Sequence, residues 1–476
     1  MAKALNYLFL SLAVFLFLFT EWLLSTFGRS LTTEQFIFHL LVWESIVHSA
    51  NFSIFFQRVL IWFNILFFLA LFASVVKLFH KYKVKIKFLD LNIIFRILSS
   101  LKFCVALCVG SIVYLLASIN FYDFLKIQFG EDKFSYLYVT PELSSFSKDG
   151  KNLLLIYVES LERTLEDAKI FGRNAISKID DLNGSKVDFF KQAPGAGWTI
   201  AGLVASQCAV PLKPYYGKLI SKNVFLPGLI CLGDVLASRD YQQYFLMGAT
   251  LTFAEIGKFY SSHGYKTMRG KEEWLGQGLN KALLSVWGLH DDMLFEEAYK
   301  IMRAQKNKTQ PYNLTLLTVD THMPSGYPSP QCTQEEQSGD FFGAFQCTAR
   351  LVANFINKAK RENLLEDTIV VIMGDHLFMA NEAQKKKFFS GDRHIYFKIF
   401  SEGRLPERNI MTHFDVAPTI LDAMGLFKNK DLPFGLGYSL YAKLDNKFYE
   451  NHLASVLDHK ILNYSHRYSS FWLAKN

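Results

Sequence analysis

Three uncharged or nearly uncharged apolar runs fall within the first 122 residues of this 476-residue chain. The first, from about Ala4 to Phe27, holds one charge, Glu21. The second, Val59 to Val76, has no charged residue in 18 positions, and the third, Phe103 to Tyr122, has none in 20. A helix needs about 20 apolar residues to cross a bilayer core, so the pattern predicts three transmembrane helices. A cleaved leader is a poor reading of the first run, which is long, lacks a small-x-small cleavage site and precedes two further spans. Between Lys77 and Lys102 lie seven basic residues against the single acid Asp90. That cluster accounts for most of the net charge of +8. It reads as a cytoplasmic loop and argues against nucleic acid as a partner. The N-terminus is then cytoplasmic, Gly28 to Phe56 is outside, and so is everything after Tyr122. The segment Thr32–Ala50, with His39, Glu44 and His48, reads as an amphipathic helix on the outer leaflet. Glu21 reads as an acid near the outer interface.

The cysteines fit an exported domain. Cys104 and Cys108 fall in the third span. Cys208, Cys231, Cys332 and Cys347 fall outside, where an even number predicts two disulfides. Four cysteines allow three connectivities. The short-loop one joins Cys208 to Cys231 and Cys332 to Cys347.

The texture changes near Lys148. Residues 1–122 read as the membrane anchor, 123–150 as a juxtamembrane linker and 151–476 as an α/β catalytic domain, with a mostly parallel sheet flanked by helices. Asn152–Val158, Asn313–Val319 and Thr368–Met373 are nearly continuous in apolar residues, as buried parallel strands are. Tyr244–Met247 and His394–Phe400 read as further strands. Helical patterns fall at Thr199–Cys208, Phe342–Lys360 and Val416–Met424.

Each strong strand ends in polar groups: Glu159 after the first, Asp320-Thr321-His322 after the second, Gly374-Asp375-His376 after the third. Ligands of open α/β sheets bind at that edge. Glu159, Asp375 and His376 make an oxygen-rich, one-nitrogen set that suits Mn²⁺, Zn²⁺ or Mg²⁺. A glycine-rich turn at Pro194–Gly197 precedes Thr199, which falls in the first turn of a helix. Free backbone N–H groups there attract phosphate. Taken alone, such a Thr is an ordinary cap. Trp198, beside it, would line a donor groove or pack on the sheet edge. Arg163 would bind phosphate or make a surface ion pair.

These residues carry a resemblance. NLLLIYVESLERT (152–164), WTIAGLVASQCAVPL (198–212), ICLGDVL (230–236), TVDTHMPSG (318–326), GDHLFM (374–379) and FDVAPTILDAMG (414–425) resemble segments of the membrane-anchored phosphoglycerol and phosphoethanolamine transferases of the alkaline phosphatase/sulfatase superfamily. The likeness is greatest to the glucan-modifying phosphoglycerol transferases, with lipoteichoic acid synthases beside them. It implies that Glu159, Asp375 and His376 hold a divalent metal together with Thr199, and that Thr199 is the residue that becomes phospho-esterified. It implies that His322 lies on the substrate side and that Phe253 borders the headgroup. Met247 stands where the lipoteichoic acid synthases carry a histidine. Cys332 and Cys347 are similar to a disulfide of the phosphoethanolamine transferases.

The implied reaction moves phosphoglycerol from phosphatidylglycerol through Thr199 to a periplasmic glycan or glycolipid and releases diacylglycerol. The implied location is the bacterial inner membrane, with the catalytic domain in the periplasm. Alternatives are phosphoethanolamine transfer to lipid A, lipooligosaccharide or another glycan, a phosphodiesterase of the same fold, and an inactive membrane-tethered scaffold. A sulfatase would require a Cys or Ser in a C/S-x-P-x-R setting, and the nucleophile position holds Thr199.

Overall fold

The structure, a computed structural model, describes residues 2–27, 31–41, 100–213, 224–323, 325–338, 341–379, 388, 392–401, 403–429 and 431–473. The chain divides into two compact units, Met1–Leu125 and Lys126–Asn476.

In the N-terminal unit a helix over Ala2–Phe27 packs along a helix over Leu101–Ser118. Phe17 stacks on Tyr114, and the Tyr114 hydroxyl donates to the Glu21 carboxylate. Trp22, Leu23, Leu31 and Ile119 form a small apolar cluster. Leu101–Ser118 is, among the described residues, the one helix long and apolar enough to cross a membrane, with a mean hydropathy of 2.0. The apolar stretch within the first helix, Leu8–Leu24, is shorter. Val105, Val109 and Val113 are exposed along Leu101–Ser118, as the lipid-facing side of a span would be. The expected second span and the basic loop up to Ser99 lie outside the described residues, as does the amphipathic segment beyond the helix Thr33–Leu41.

The C-terminal unit is built on a seven-stranded sheet in the order β2-β8-β7-β1-β6-β4-β5. The strands are β1 (Asn152–Val158), β2 (Ser185–Lys186), β4 (Gln242–Met247), β5 (Thr267–Arg269), β6 (Tyr312–Leu317), β7 (Thr368–Gly374) and β8 (Phe397–Phe400). Strands β7, β1, β6, β4 and β5 run parallel; β8 and β2 pair antiparallel at one edge. Strands β3 (Phe189–Lys191) and β9 (Ile410–Thr412) form a separate parallel pair. The mostly parallel α/β architecture read from the sequence is therefore present.

Both faces of β1 are buried, which explains its unbroken apolar run. Leu154, Ile156 and Val158 face one core with the helices Asp291–Gln305 and Phe341–Arg361. Tyr157, one step out of phase, meets the other face, where its hydroxyl lies 2.8 Å from Ser206 on the helix Thr199–Cys208. The period-two alternation of the strand thus fixes the helix Thr199–Cys208 on one side and the larger core on the other.

The segment 123–150, read as a linker, is ordered. It carries helices at Phe121–Phe129 and Lys133–Leu137. Phe134 and Tyr138 are buried against Tyr468 and Phe471 near the C-terminus. Its mixed composition hides this because the partners lie more than 300 residues away. Both short-loop disulfides are formed, Cys208–Cys231 and Cys332–Cys347. The first anchors the last turn of the Thr199–Cys208 helix.

Candidate active site

The adjacent parallel strands β7, β1, β6 and β4 end side by side, and four short segments extend from that edge. Glu159 follows β1, Asp375 and His376 follow β7, Thr318–His322 follows β6, and Met247 ends β4. Their common edge brings together residues up to 217 positions apart in sequence, from Glu159 to His376.

Glu159, Asp375 and His376 are all buried, and each offers a ligand atom within 4.8 Å of the others. His376 Nε2 lies 3.5 Å from both Glu159 Oε1 and Asp375 Oδ2. The Thr199 hydroxyl lies 3.3 Å from Glu159 Oε2 and 3.5 Å from His376 Nε2. It opens the helix Thr199–Cys208, whose free N–H groups and dipole favour negative charge at that end.

Supporting contacts fix each group. Ser160, at φ +58°, turns the chain so that its N–H donates to Asp375 Oδ1 at 2.8 Å while its hydroxyl donates to Glu159 Oε1 at 2.7 Å. Left-handed backbone at a non-glycine residue is typical of constrained sites. His376 Nδ1 is 2.8 Å from the Leu377 carbonyl, so the N–H sits on Nδ1 and the Nε2 lone pair faces the cluster. His413 accepts from the Ala193 N–H through Nδ1 and donates from Nε2 to the Asp375 carbonyl at 2.8 Å. Burial lowers its pKa to about 4, so it stays neutral. Gly202 lets the helix Thr199–Cys208 approach: a Cβ there would lie 2.0 Å from the Asp375 carbonyl oxygen.

The loop after β7 is held by a buried ion pair. Glu162, fully buried, accepts from the Phe378 N–H at 2.9 Å and pairs with Arg393 through Nε at 3.0 Å and through Nη2. Removing one partner of such a pair costs about 3–5 kcal/mol. Glu162→Ala is therefore expected to destabilise the chain by that order and to cost activity by loosening the loop that carries Asp375 and His376. Denaturant unfolding beside a rate assay checks this; an unchanged midpoint would contradict it.

The electrostatics of the cluster are those of a site built around a cation. Two carboxylates share a dry space. Burial, followed by the neighbouring Glu159, pushes the Asp375 carboxyl up. Burial opposes charge on His376, but the flanking Asp375 and Glu159 carboxylates outweigh it and raise the ring to about 9. Glu159 is held down, the His376 charge overcoming its burial. Asp375 Oδ2 is buried with no hydrogen-bond partner among the described residues. An orphaned carboxylate oxygen, a second carboxylate and an imidazole lone pair fit a divalent metal.

From Glu159 and Thr199 a small cleft opens, lined further by Met247, Phe253, Ile256, Trp287, Leu317 and His322. His322 and Phe253 both line this cleft. His322 Nδ1 is 2.9 Å from the Met323 carbonyl, which leaves Nε2 to the cleft side of the chemistry. Trp198 is buried as the residue preceding the helix and does not line the cleft. Arg163 is not among the residues that line this cleft; it pairs with Glu166 at 3.0 Å and Asp188 at 2.9 Å. The surface ion pair, the other reading of that residue, is the one realised. Trp287, Ile256, His413 and the Glu162–Arg393 pair were not singled out in the sequence.

Residues 151–426, more than half of the chain, match the sulfatase family, and the chain belongs to it. Within that family it is similar to phosphoglycerol transferase I of Escherichia coli, 36% identical over 324 residues, covering 65% of this chain and 41% of that protein. The phosphoglycerol transferase I of Salmonella choleraesuis is likewise 36% identical, over 62% of this chain and 40% of its own. The chain thus spans about two fifths of the length of these relatives. Among solved structures, the lipoteichoic acid synthase LtaP of Listeria monocytogenes (TM-score 0.50) and an alkaline phosphatase superfamily protein of Vibrio parahaemolyticus (TM-score 0.52) share the fold. Each is 19% identical and covers 67% of this chain and 81% of its own.

Proposed function

We propose that this chain is a membrane-anchored phosphotransferase that moves phosphoglycerol from phosphatidylglycerol to a glycan or glycolipid hydroxyl through a Thr199 ester. The observation that carries the proposal is the convergence of the Thr199 hydroxyl with Glu159, Asp375 and His376 beside a largely apolar cleft. The 36% identity to phosphoglycerol transferases supports the same donor class.

Glu159, Asp375, His376 and Thr199 would hold the divalent metal, Mn²⁺, Zn²⁺ or Mg²⁺. When bound, that ion supplies Lewis-acid polarisation of the phosphoryl oxygen and acidifies the threonine hydroxyl. Glu159 orients the Thr199 hydroxyl so that its oxygen faces phosphorus. Thr199 Oγ gives up its proton to solvent and forms the new P–O bond as the bond to diacylglycerol breaks, while His322 delivers a proton to the departing oxygen. The helix N-terminus stabilises the charge that builds on the phosphoryl group. An acceptor hydroxyl, deprotonated by His322, then displaces Thr199 and completes a double displacement.

The cleft favours glycerol over ethanolamine. Among its lining residues Glu159 is the one carboxylate, and the metal cluster uses it. An ammonium group would enter a space walled by Met247, Phe253, Ile256 and Leu317 with no free counter-charge, which is costly. The anchor keeps the site beside a donor confined to two dimensions, which raises its effective concentration. The test is diacylglycerol release by the full chain in nanodiscs with a divalent metal and a sugar acceptor. Release from phosphatidylglycerol and little from phosphatidylethanolamine is expected; the reverse preference would move the chain to the sister activity.

A further inference from the structure

We infer that Trp287 determines donor specificity by giving its indole N–H to a hydroxyl of the transferred headgroup, an inference that rests on the phosphoglycerol reading above. Trp287 lines the cleft and is only 9% exposed. Its Nε1 is buried with no hydrogen-bond partner among the described residues. A buried indole N–H normally has an acceptor, and one left without costs stability unless a ligand supplies it.

The surroundings leave few other groups to read a hydroxyl. Met247, Phe253, Ile256 and Leu317 present no donor. His322 Nδ1 is engaged by the Met323 carbonyl, and its Nε2 is assigned to proton transfer. The Trp287 ring packs against the His322 ring at 4.0 Å between centroids and edge-on to Phe253 at 5.8 Å. The indole therefore sits between the residue that serves the leaving oxygen and the aromatic wall of the cleft.

The position is rigid before any ligand arrives. The Ser285 N–H donates to the Gly288 carbonyl at 2.7 Å, and the Ser285 hydroxyl accepts from the N–H groups of Trp287 and Gly288, each at 3.2 Å. Leu289 N–H donates to the Gly248 carbonyl at 2.9 Å, just past the end of β4. Gly288, at φ +150°, lies so close that a Cβ would come 2.0 Å from that same carbonyl oxygen. A donor fixed in this way loses little entropy on binding.

The experiment compares two donors in nanodiscs with the full chain. Phosphatidylglycerol carries headgroup hydroxyls; phosphatidylpropanol has the same three carbons and none. The wild type is expected to prefer phosphatidylglycerol in kcat/KM by roughly 10-fold or more. Trp287→Phe keeps a ring and deletes the N–H. It is expected to collapse that preference toward unity. The ratio is insensitive to a misfolded fraction, which lowers both rates alike. An unchanged ratio in Trp287→Phe overturns the assignment. So does a wild-type ratio near unity, whether or not the variant folds. A wild type inert on phosphatidylglycerol overturns the transfer reading itself and this assignment with it.

Discussion

Thr199→Ala is expected to lower diacylglycerol release by at least about 10⁴-fold, because it removes the hydroxyl proposed to attack phosphorus. Another hydroxyl at the cluster, Ser160 Oγ, donates to Glu159 Oε1 at 2.7 Å. Stability should change little. The contacts of Thr199 Oγ1 to Glu159 and His376 are long, 3.3 and 3.5 Å, and the residue preceding the helix is Trp198, so no side-chain cap is lost. Thr199→Ser keeps a hydroxyl and should fall far less, having lost only the methyl that restrains the rotamer. Steady-state release and a thermal unfolding curve for each variant check both halves. A Thr199→Ala enzyme retaining a tenth of the rate would place the nucleophile elsewhere.

The second large effect belongs to Asp375→Asn. The substitution removes a charge from a buried oxygen that has no hydrogen-bond partner among the described residues, so bound metal should fall from about one ion per chain to a small fraction and the rate by about 10³-fold. Wild-type chain should gain about 2.7 kcal/mol of stability at a metal concentration 100 times its Kd, and the variant almost none. The metal-free proteins differ in pH response. Asp375 and His376 both have pKa values raised in the folded state, Asp375 by burial and Glu159, His376 by the two carboxylates that outweigh its burial. A raised pKa gives stability that is complete below the unfolded value and lost as pH rises through the folded one. Metal-free wild type should therefore lose stability as pH climbs from the carboxylate range toward 9, the folded pKa of His376. Asp375→Asn removes the carboxyl part of that slope. Metal analysis and unfolding curves after chelation give both readings; full metal occupancy in the variant would contradict the ligand assignment.

Local chemistry explains what could be read in advance. The strand β1 is apolar on both faces and stops at its first acid, so Asn152–Val158 and Glu159 were visible together. The glycine-rich turn before Thr199 marked a helix start, and the helix spans the residues expected, Thr199–Cys208. Strand β6 begins one residue before its expected start and ends at Leu317, since Thr318 turns its hydroxyl toward the Glu159 N–H at 3.0 Å.

Tertiary pairing hid the rest. Glu162 and Arg393 lie 231 positions apart, and either alone resembles a solvated charge. The helix Asp291–Gln305 was missed because its buried Asp291 looks like surface; the carboxylate in fact binds the Val319 N–H and Thr348 at 2.8 Å each, tying the segment before His322 to the helix Phe341–Arg361. Trp287 carries no motif that separates a core indole from a ligand contact. Arg163 follows ESLE in a phosphate-binding context, yet Glu166 and Asp188 claim it.

The most direct test of the account is the intact mass of the purified full chain after incubation with phosphatidylglycerol and Mn²⁺ without acceptor, beside Thr199→Ala. An added mass of one phosphoglycerol group, mapped to Thr199 and absent from the variant, is the result the account predicts. An adduct of equal size in Thr199→Ala, or one mapped to any other residue, would contradict it.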